Sequence, residues 1–132
     1  MTLIAAAAAV ASAFNLVCAG TITSESLELG KKTEPYSYTY RFDLKANKYC
    51  QGDCKAQRPI FKLDPTVITL QDERADTPSE KSIHVETINR ETGRHYILAN
   101  TDSHELGMML LKWEGQCEKG PFTGFPEFKT KF

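Results

Sequence analysis

Between Pro35 and Leu44 the chain alternates strictly. Tyr36, Tyr38, Tyr40, Phe42 and Leu44 take every second position, with Ser37, Thr39, Arg41 and Asp43 between them. A period of two places the apolar set on one face of a β-strand and the polar set on the other. Aromatic side chains favour strands on their own account, so pattern and propensity agree. The apolar face is the expected core. Asn47 and Lys48 then turn the chain into a Cys50-x-x-x-Cys54 loop built on Gly52 and Asp53.

The same reading predicts further short strands. Pro59–Leu63 and Thr66–Leu70 form two strands, or one bent strand, divided by Asp64-Pro65; proline has no amide hydrogen for a ladder and marks a strand start or edge. Asp72–Lys81 is charged and carries the loop signal Thr77-Pro78-Ser79. The runs Ile83–Asn89 and Arg94–Asn100 flank Glu91-Thr92-Gly93, the pattern of a hairpin with a three-residue loop ending in a left-handed glycine. That register sets Ile83, Val85, Ile97 and Ala99 on one face, and Ile88, Tyr96 and Leu98 on the other with His84 and Glu86. After a turn at Thr101–Glu105, Leu106–Trp113 is apolar on both faces and is taken as a strand covered on both sides, or one with an exposed apolar patch. Met109, Leu111 and Trp113 are expected to fill the core, which leaves Leu106, Met108 and Leu110 as an outward interaction surface. Phe122, Phe125 and Phe128 recur every third residue among prolines, suiting an extended strap.

The expected fold is therefore all-β: an antiparallel meander forming a small barrel or a sandwich. Residues 1–19 stand apart, because they are apolar, alanine-rich and uncharged. They read as a secretory signal peptide, drawn as a helix, with Val17 and Ala19 marking cleavage before Gly20 and Ala11 and Ala13 marking an earlier site. The segment is shorter than the roughly 20 apolar residues of a membrane span and is interrupted by Ser12 and Asn15. One all-β domain, residues 20–132, is expected to follow, in the periplasm or secreted, without a stable membrane span.

An oxidising compartment permits disulfides. With Cys18 leaving in the signal, Cys50–Cys54 is the expected bridge, and Cys117 is expected buried and reduced beside Trp113. Sixteen Lys and Arg against seventeen Asp and Glu give a net charge of −1, which argues against a nucleic-acid partner. Candidate chemistry is sparse. His84, His95 and His104 are the imidazoles, with His84 and His95 on opposite faces of the hairpin and so unable to share a metal. Cysteine spacing fits no structural zinc pattern, and no nucleophile elbow is present. The sequence thus yields no catalytic, metal or cofactor-binding residues.

The motifs Tyr40-Arg41-x-Asp43-Leu44, Tyr49-Cys50-x-x-x-Cys54, Ile88-Asn89-Arg90-x-Thr92-Gly93 and Gly115-x-Cys117-Glu118 with Pro121-Phe122-Thr123-Gly124-Phe125-Pro126 resemble those of small secreted bacterial proteins of unknown function. The resemblance implies an exported β-rich domain and brings no activity with it. In size, export and disulfide the chain is also distantly similar to periplasmic lysozyme inhibitors, which are small β-barrels. Together these observations lead to the expectation of a non-enzymatic binding or protein-interaction domain for an envelope protein or small ligand. The alternatives are a small envelope hydrolase, using His95 or His104 with a nearby carboxylate, or a lysozyme-inhibitor-like protein.

Overall fold

A computed structural model describes residues 12–105 and 107–127. The apolar stretch before Ser12, and with it most of the expected signal helix (residues 3–18), lies outside the described residues, as do Leu106 and Phe128; the described part of that helix, from Ala13, is strand instead.

The described residues form one curled antiparallel sheet of nine strands, in the order β4-β3-β2-β1-β9-β8-β7-β6-β5. Their ranges are β1 Ala13–Ser26, β2 Gly30–Asp43, β3 Lys48–Gln51, β4 Arg58–Pro59, β5 Lys62–Leu63, β6 Val67–Asp76, β7 Glu80–Asn89, β8 Arg94–Ser103 and β9 Gly107–Gly120. Every pairing joins consecutive strands except β1 with β9. The first and last strands thus lie side by side in the middle of the sheet. Its free edges are β4 and β5, which follow one another in the chain.

The alternating aromatics of β2 face the concave side. Tyr36, Tyr40 and Phe42 are buried, with Tyr38 and Leu44 partly so. Phe14, Leu16 and Cys18 of β1 meet them, and Phe14 stacks on Phe42 with ring centroids 5.4 Å apart. From the far end of the sheet come Ile68, Leu70 and Ile88, and Tyr49 of β3 and Ile60 complete the core. The core therefore occupies one half of the long strands. Towards the other half, β3 and β5 have ended, and β2 and β6 become the local edges.

Four expectations need correction. First, a boundary between Ala19 and Gly20 falls in the middle of β1, and a chain starting at Gly20 would lack Phe14, Leu16 and Cys18 of the core. Residues 13–19 are strand, because their own alternation (Phe14, Leu16, Cys18) fits the sheet between β2 and β9. Second, Cys117 is not reduced: it is bonded to Cys18, its direct partner across β1 and β9. A second disulfide joins Cys50 to Cys54. Third, the β7–β8 loop is Arg90–Gly93, one residue longer than the pattern suggested, with Gly93 at φ 76° donating its N–H to the Asn89 carbonyl. One residue reverses the parity of a strand. Glu86, Ile88, His95 and Ile97 consequently share the buried face, while Val85 and Leu98 pair on the convex one. His84 and His95 lie on the same face. Fourth, Met109 has the concave parity expected of it yet is 45% exposed, because the core does not extend to that end.

The Phe-rich tail crosses the outer face of β1 and β2. The side-chain amide of Asn15 donates to Thr123 Oγ1 at 2.9 Å, and Arg41 Nη1 donates to the Gly124 carbonyl at 2.9 Å. Gly124, at φ 83°, breaks the polyproline path, and Phe122 meets Phe125 edge to face.

Candidate functional site

The interior of this small sheet is polar at its centre. Tyr36 and Tyr40 come from β2, Glu86 from β7 and His95 from β8, and all four are buried. His95 Nε2 stands 2.8 Å from Glu86 Oε2, and its Nδ1 stands 2.8 Å from the Tyr36 hydroxyl. The Tyr40 hydroxyl donates to the same Glu86 oxygen and lies 3.2 Å from His95 Nε2. The set closes with Glu86 accepting from Tyr40 and from His95 Nε2–H, and with His95 Nδ1 accepting from Tyr36. Above it, Trp113 Nε1 donates to the Tyr38 hydroxyl at 2.9 Å.

Local sequence explains the convergence. Gly20 of β1 and Gly115 of β9 are paired, and His95 pairs with Gly115 from the other side. A Cβ on Gly115 would collide with the Tyr36 hydroxyl and the Ala19 carbonyl. The glycine leaves the space through which Tyr36 reaches the imidazole.

Burial sets the electrostatics. The Tyr36 phenol is pushed up to about 12, by desolvation first and then by Tyr38 and Glu86. Tyr40 is held far above the ordinary phenol range by the same burial, reinforced by the Glu86 carboxylate. Such phenols are hydrogen-bond donors, not activated nucleophiles. His95 does have the carboxylate that a hydrolase would need, but its side chain is fully buried. His104 sits exposed in the β8–β9 turn, and His84 lies on the concave face opposite Ala99. One trio of metal-ligating types converges among the described residues: Cys18, Cys117 and His95, with ligand atoms within 4.8 Å of one another. Both sulfurs are committed to their disulfide, so the trio does not offer thiolates.

Of the four, Glu86 lines an opening of the domain. It forms part of the wall of a cleft of about 370 Å³ where the curled sheet fails to close between β3 and β6. Gln51 is the partner of Tyr40 across β2 and β3, and Gln71 the partner of Glu86 across β6 and β7. A register shift between Thr69 and Gln71, with Leu70 as the extra residue, turns Gln71 to the Glu86 side. Segment 52–58, tied down by Cys50–Cys54, borders the cleft with Asp53, Lys55 and Arg58.

The expected surface on β9 lies elsewhere. Met108 is 49% exposed and Leu110 partly so, both on the convex face. Cross-strand pairing extends the surface: Leu110 is opposite Asn100, Asn100 is opposite Ile83, and Leu98 is opposite Val85. A groove of about 360 Å³ runs between Ile83 and Met108, rimmed by Arg74, Asp76, Lys81 and Asp102. Among the described residues, neither the tail, bound over Asn15 and Arg41 at Thr123 and Gly124, nor the β1–β2 hairpin, a neighbour within the sheet, lies over Met108.

Glu86 and Cys18 escaped the sequence reading. Glu86 would have been found from the correct loop length, since it then shares a face with His95. Cys18 was hidden by its place in an apolar run. The site and fold define a curled antiparallel β-domain with a buried Tyr–His–Glu network and two disulfides. No family model, curated protein or solved structure matches the chain at a significant level.

Proposed function

We propose that this chain is a non-enzymatic, exported interaction domain that docks a partner protein on the convex face of β7–β9. The observation that carries the reading is the strip of Ile83, Val85, Leu98, Met108 and Leu110, aligned across three strands beside a groove with a charged rim. Interfaces have this anatomy, an apolar centre inside a polar border, and methionine adapts to the shape of what it meets. Burial of His95 speaks against the hydrolase alternative, because a general base must reach the proton it removes.

Two disulfides suit an oxidising compartment, and no helix among the described residues is long and apolar enough to cross a membrane. Export through a signal ending at Ala13, the earlier of the two small-residue sites, keeps Phe14, Leu16 and Cys18 within the folded domain. The resemblance to small secreted bacterial proteins supports the same compartment.

The test compares wild type with Met108→Lys and Leu110→Glu in cross-linked pull-downs from envelope extract, beside a hydrolase panel with His95→Gln. The expected result is one partner captured by wild type and lost in both surface variants. Turnover that vanishes in a folded His95→Gln protein overturns the proposal.

A further inference from the structure

The interaction strip leaves unexplained why a small β-domain keeps a carboxylate and an imidazole in its core. Removing charge from water is costly, and apolar residues of similar volume commonly fill such positions at no loss of stability. Glu86 is also not wholly sealed. About 8% of its side chain remains accessible, and it lines the cleft between β3 and β6.

Tyr40 and His95 both act on Glu86 Oε2, from inside the domain. Together they hold that oxygen in place. A carboxylate has room for about four hydrogen bonds, so Glu86, a lining residue of the cleft, has capacity left beyond these two. The cleft is therefore a polar opening with an oriented anionic group in its wall, flanked by the amides of Gln51 and Gln71 and by Tyr49.

Charge of the opposite sign stands at the border. Lys55 is 3.7 Å from Asp53, a pairing of two exposed side chains. Arg58 makes no ion pair among the described residues. The two signs act on one group: burial and Glu86 raise the Tyr49 phenol, while Arg58 pulls it down. With Lys55 and Asp53 offsetting one another, a simple cation drawn to Glu86 would be repelled by Arg58, and a simple anion drawn to Arg58 would be repelled by Glu86. A ligand carrying both signs a few bonds apart satisfies both borders.

We infer that the cleft between β3 and β6 binds a small zwitterion, an amino acid or short peptide, with its ammonium group on Glu86 and its carboxylate towards Arg58. Gln51 and Gln71 then serve the peptide or amide groups between the two poles. The disulfide-tied turn at Gly52–Cys54, where Gly52 and Cys54 both take positive φ, holds the bordering segment in place without ligand. This site is separate from the convex strip and does not depend on it.

The experiment is calorimetric titration and thermal shift with alanyl-alanine, N-acetyl-alanyl-alanine and alanyl-alanine amide, alongside a panel of free amino acids. The zwitterion is expected to bind, and each capped derivative at least about tenfold more weakly. Glu86→Gln, checked for fold by circular dichroism, is expected to abolish the penalty for N-acetylation. Arg58→Ala is expected to abolish the penalty for amidation. Arg58 is exposed, so its variant keeps the test decisive if Glu86→Gln does not fold. Met108→Lys is expected to bind alanyl-alanine as wild type does. No binding by any panel member at millimolar concentration, or equal binding of the free and capped dipeptides, overturns the inference.

Discussion

Gly20 and Gly115 face each other across β1 and β9, and the hydroxyl of Tyr36 occupies the room that a side chain on Gly115 would need. Two strands and a buried tyrosine are thereby brought to one point. Gly115→Ala is expected to destabilise the domain by about 1–3 kcal/mol, the range for forced overpacking. Tyr36→Phe in the same chain should recover only part of that, since the Ala19 carbonyl still opposes the new methyl. Full recovery in denaturant titration would show that the hydroxyl alone needs the space.

The long disulfide is expected to matter more than the short one. Cys18–Cys117 closes a sequence separation of 99 residues and Cys50–Cys54 one of 4. In the chain-entropy account these are worth about 4–5 and about 2 kcal/mol. The pairs Cys18→Ala/Cys117→Ala and Cys50→Ala/Cys54→Ala, compared by thermal melts, should fall in that order. A reversed order would mean that the 50–54 turn anchors more of the fold than its loop length implies.

The proposed export gives a third expectation. Because Phe14, Leu16 and Cys18 are core residues, the exported protein should have the intact mass of a chain beginning at Phe14. A mass corresponding to Gly20 would require a folded domain with half of β1 missing, and would overturn this assignment.

Tyr40 separates packing from hydrogen bonding. Tyr40→Phe keeps the ring and removes a donor to Glu86, at an expected cost of about 1–3 kcal/mol. Tyr40→Ala also empties the space beside Phe42 and should cost about 3–5 kcal/mol. Equal effects in urea titration would mean that the ring contributes little.

Alkaline pH should unfold the domain through its phenols. Tyr36 is raised to about 12, and Tyr40 and Tyr49 are raised as well. Their neutral forms are favoured by folding, so this stabilisation is complete below the ordinary phenol value near 10 and is lost as pH rises through about 12. Absorbance at 295 nm and circular dichroism, followed together, should show part of the phenolate signal arriving with loss of structure. All five tyrosines ionising near pH 10 in an intact fold would contradict the buried network.

What the sequence disclosed depended on whether a local pattern had one reading. The Tyr36–Leu44 alternation had one, and it lies in β2 with its aromatics inward, although that strand begins earlier, at Gly30, and runs through Pro35. Thr77-Pro78-Ser79 likewise marks a real turn, with Thr77 and Glu80 exchanging backbone hydrogen bonds around it. The β7–β8 loop had two readings a residue apart, and only the pairing of Ile88 with His95 decides between them. That choice conceals or reveals the proximity of Glu86 and His95. At the N-terminus an apolar, alanine-rich sequence runs straight into the alternation of a buried strand, and the small residues offer two boundaries, after Ala13 and after Ala19, of which only the first leaves β1 nearly whole. Partial burial of Leu111 and Trp113 was hidden for another reason: strand parity tells which face a residue takes, not how far the core extends along it.

The pairing of β1 with β9 has a consequence for biogenesis. As synthesis proceeds from the amino end, β1 emerges first and its partner almost last, so the apolar side chains of Phe14 and Leu16 and the thiol of Cys18 must wait for most of the chain to follow. During that interval Cys50 and Cys54 are the available sulfurs. The expected trapped species is a mixed Cys18–Cys50 or Cys18–Cys54 isomer, and maturation of this protein should accelerate in the presence of a disulfide isomerase.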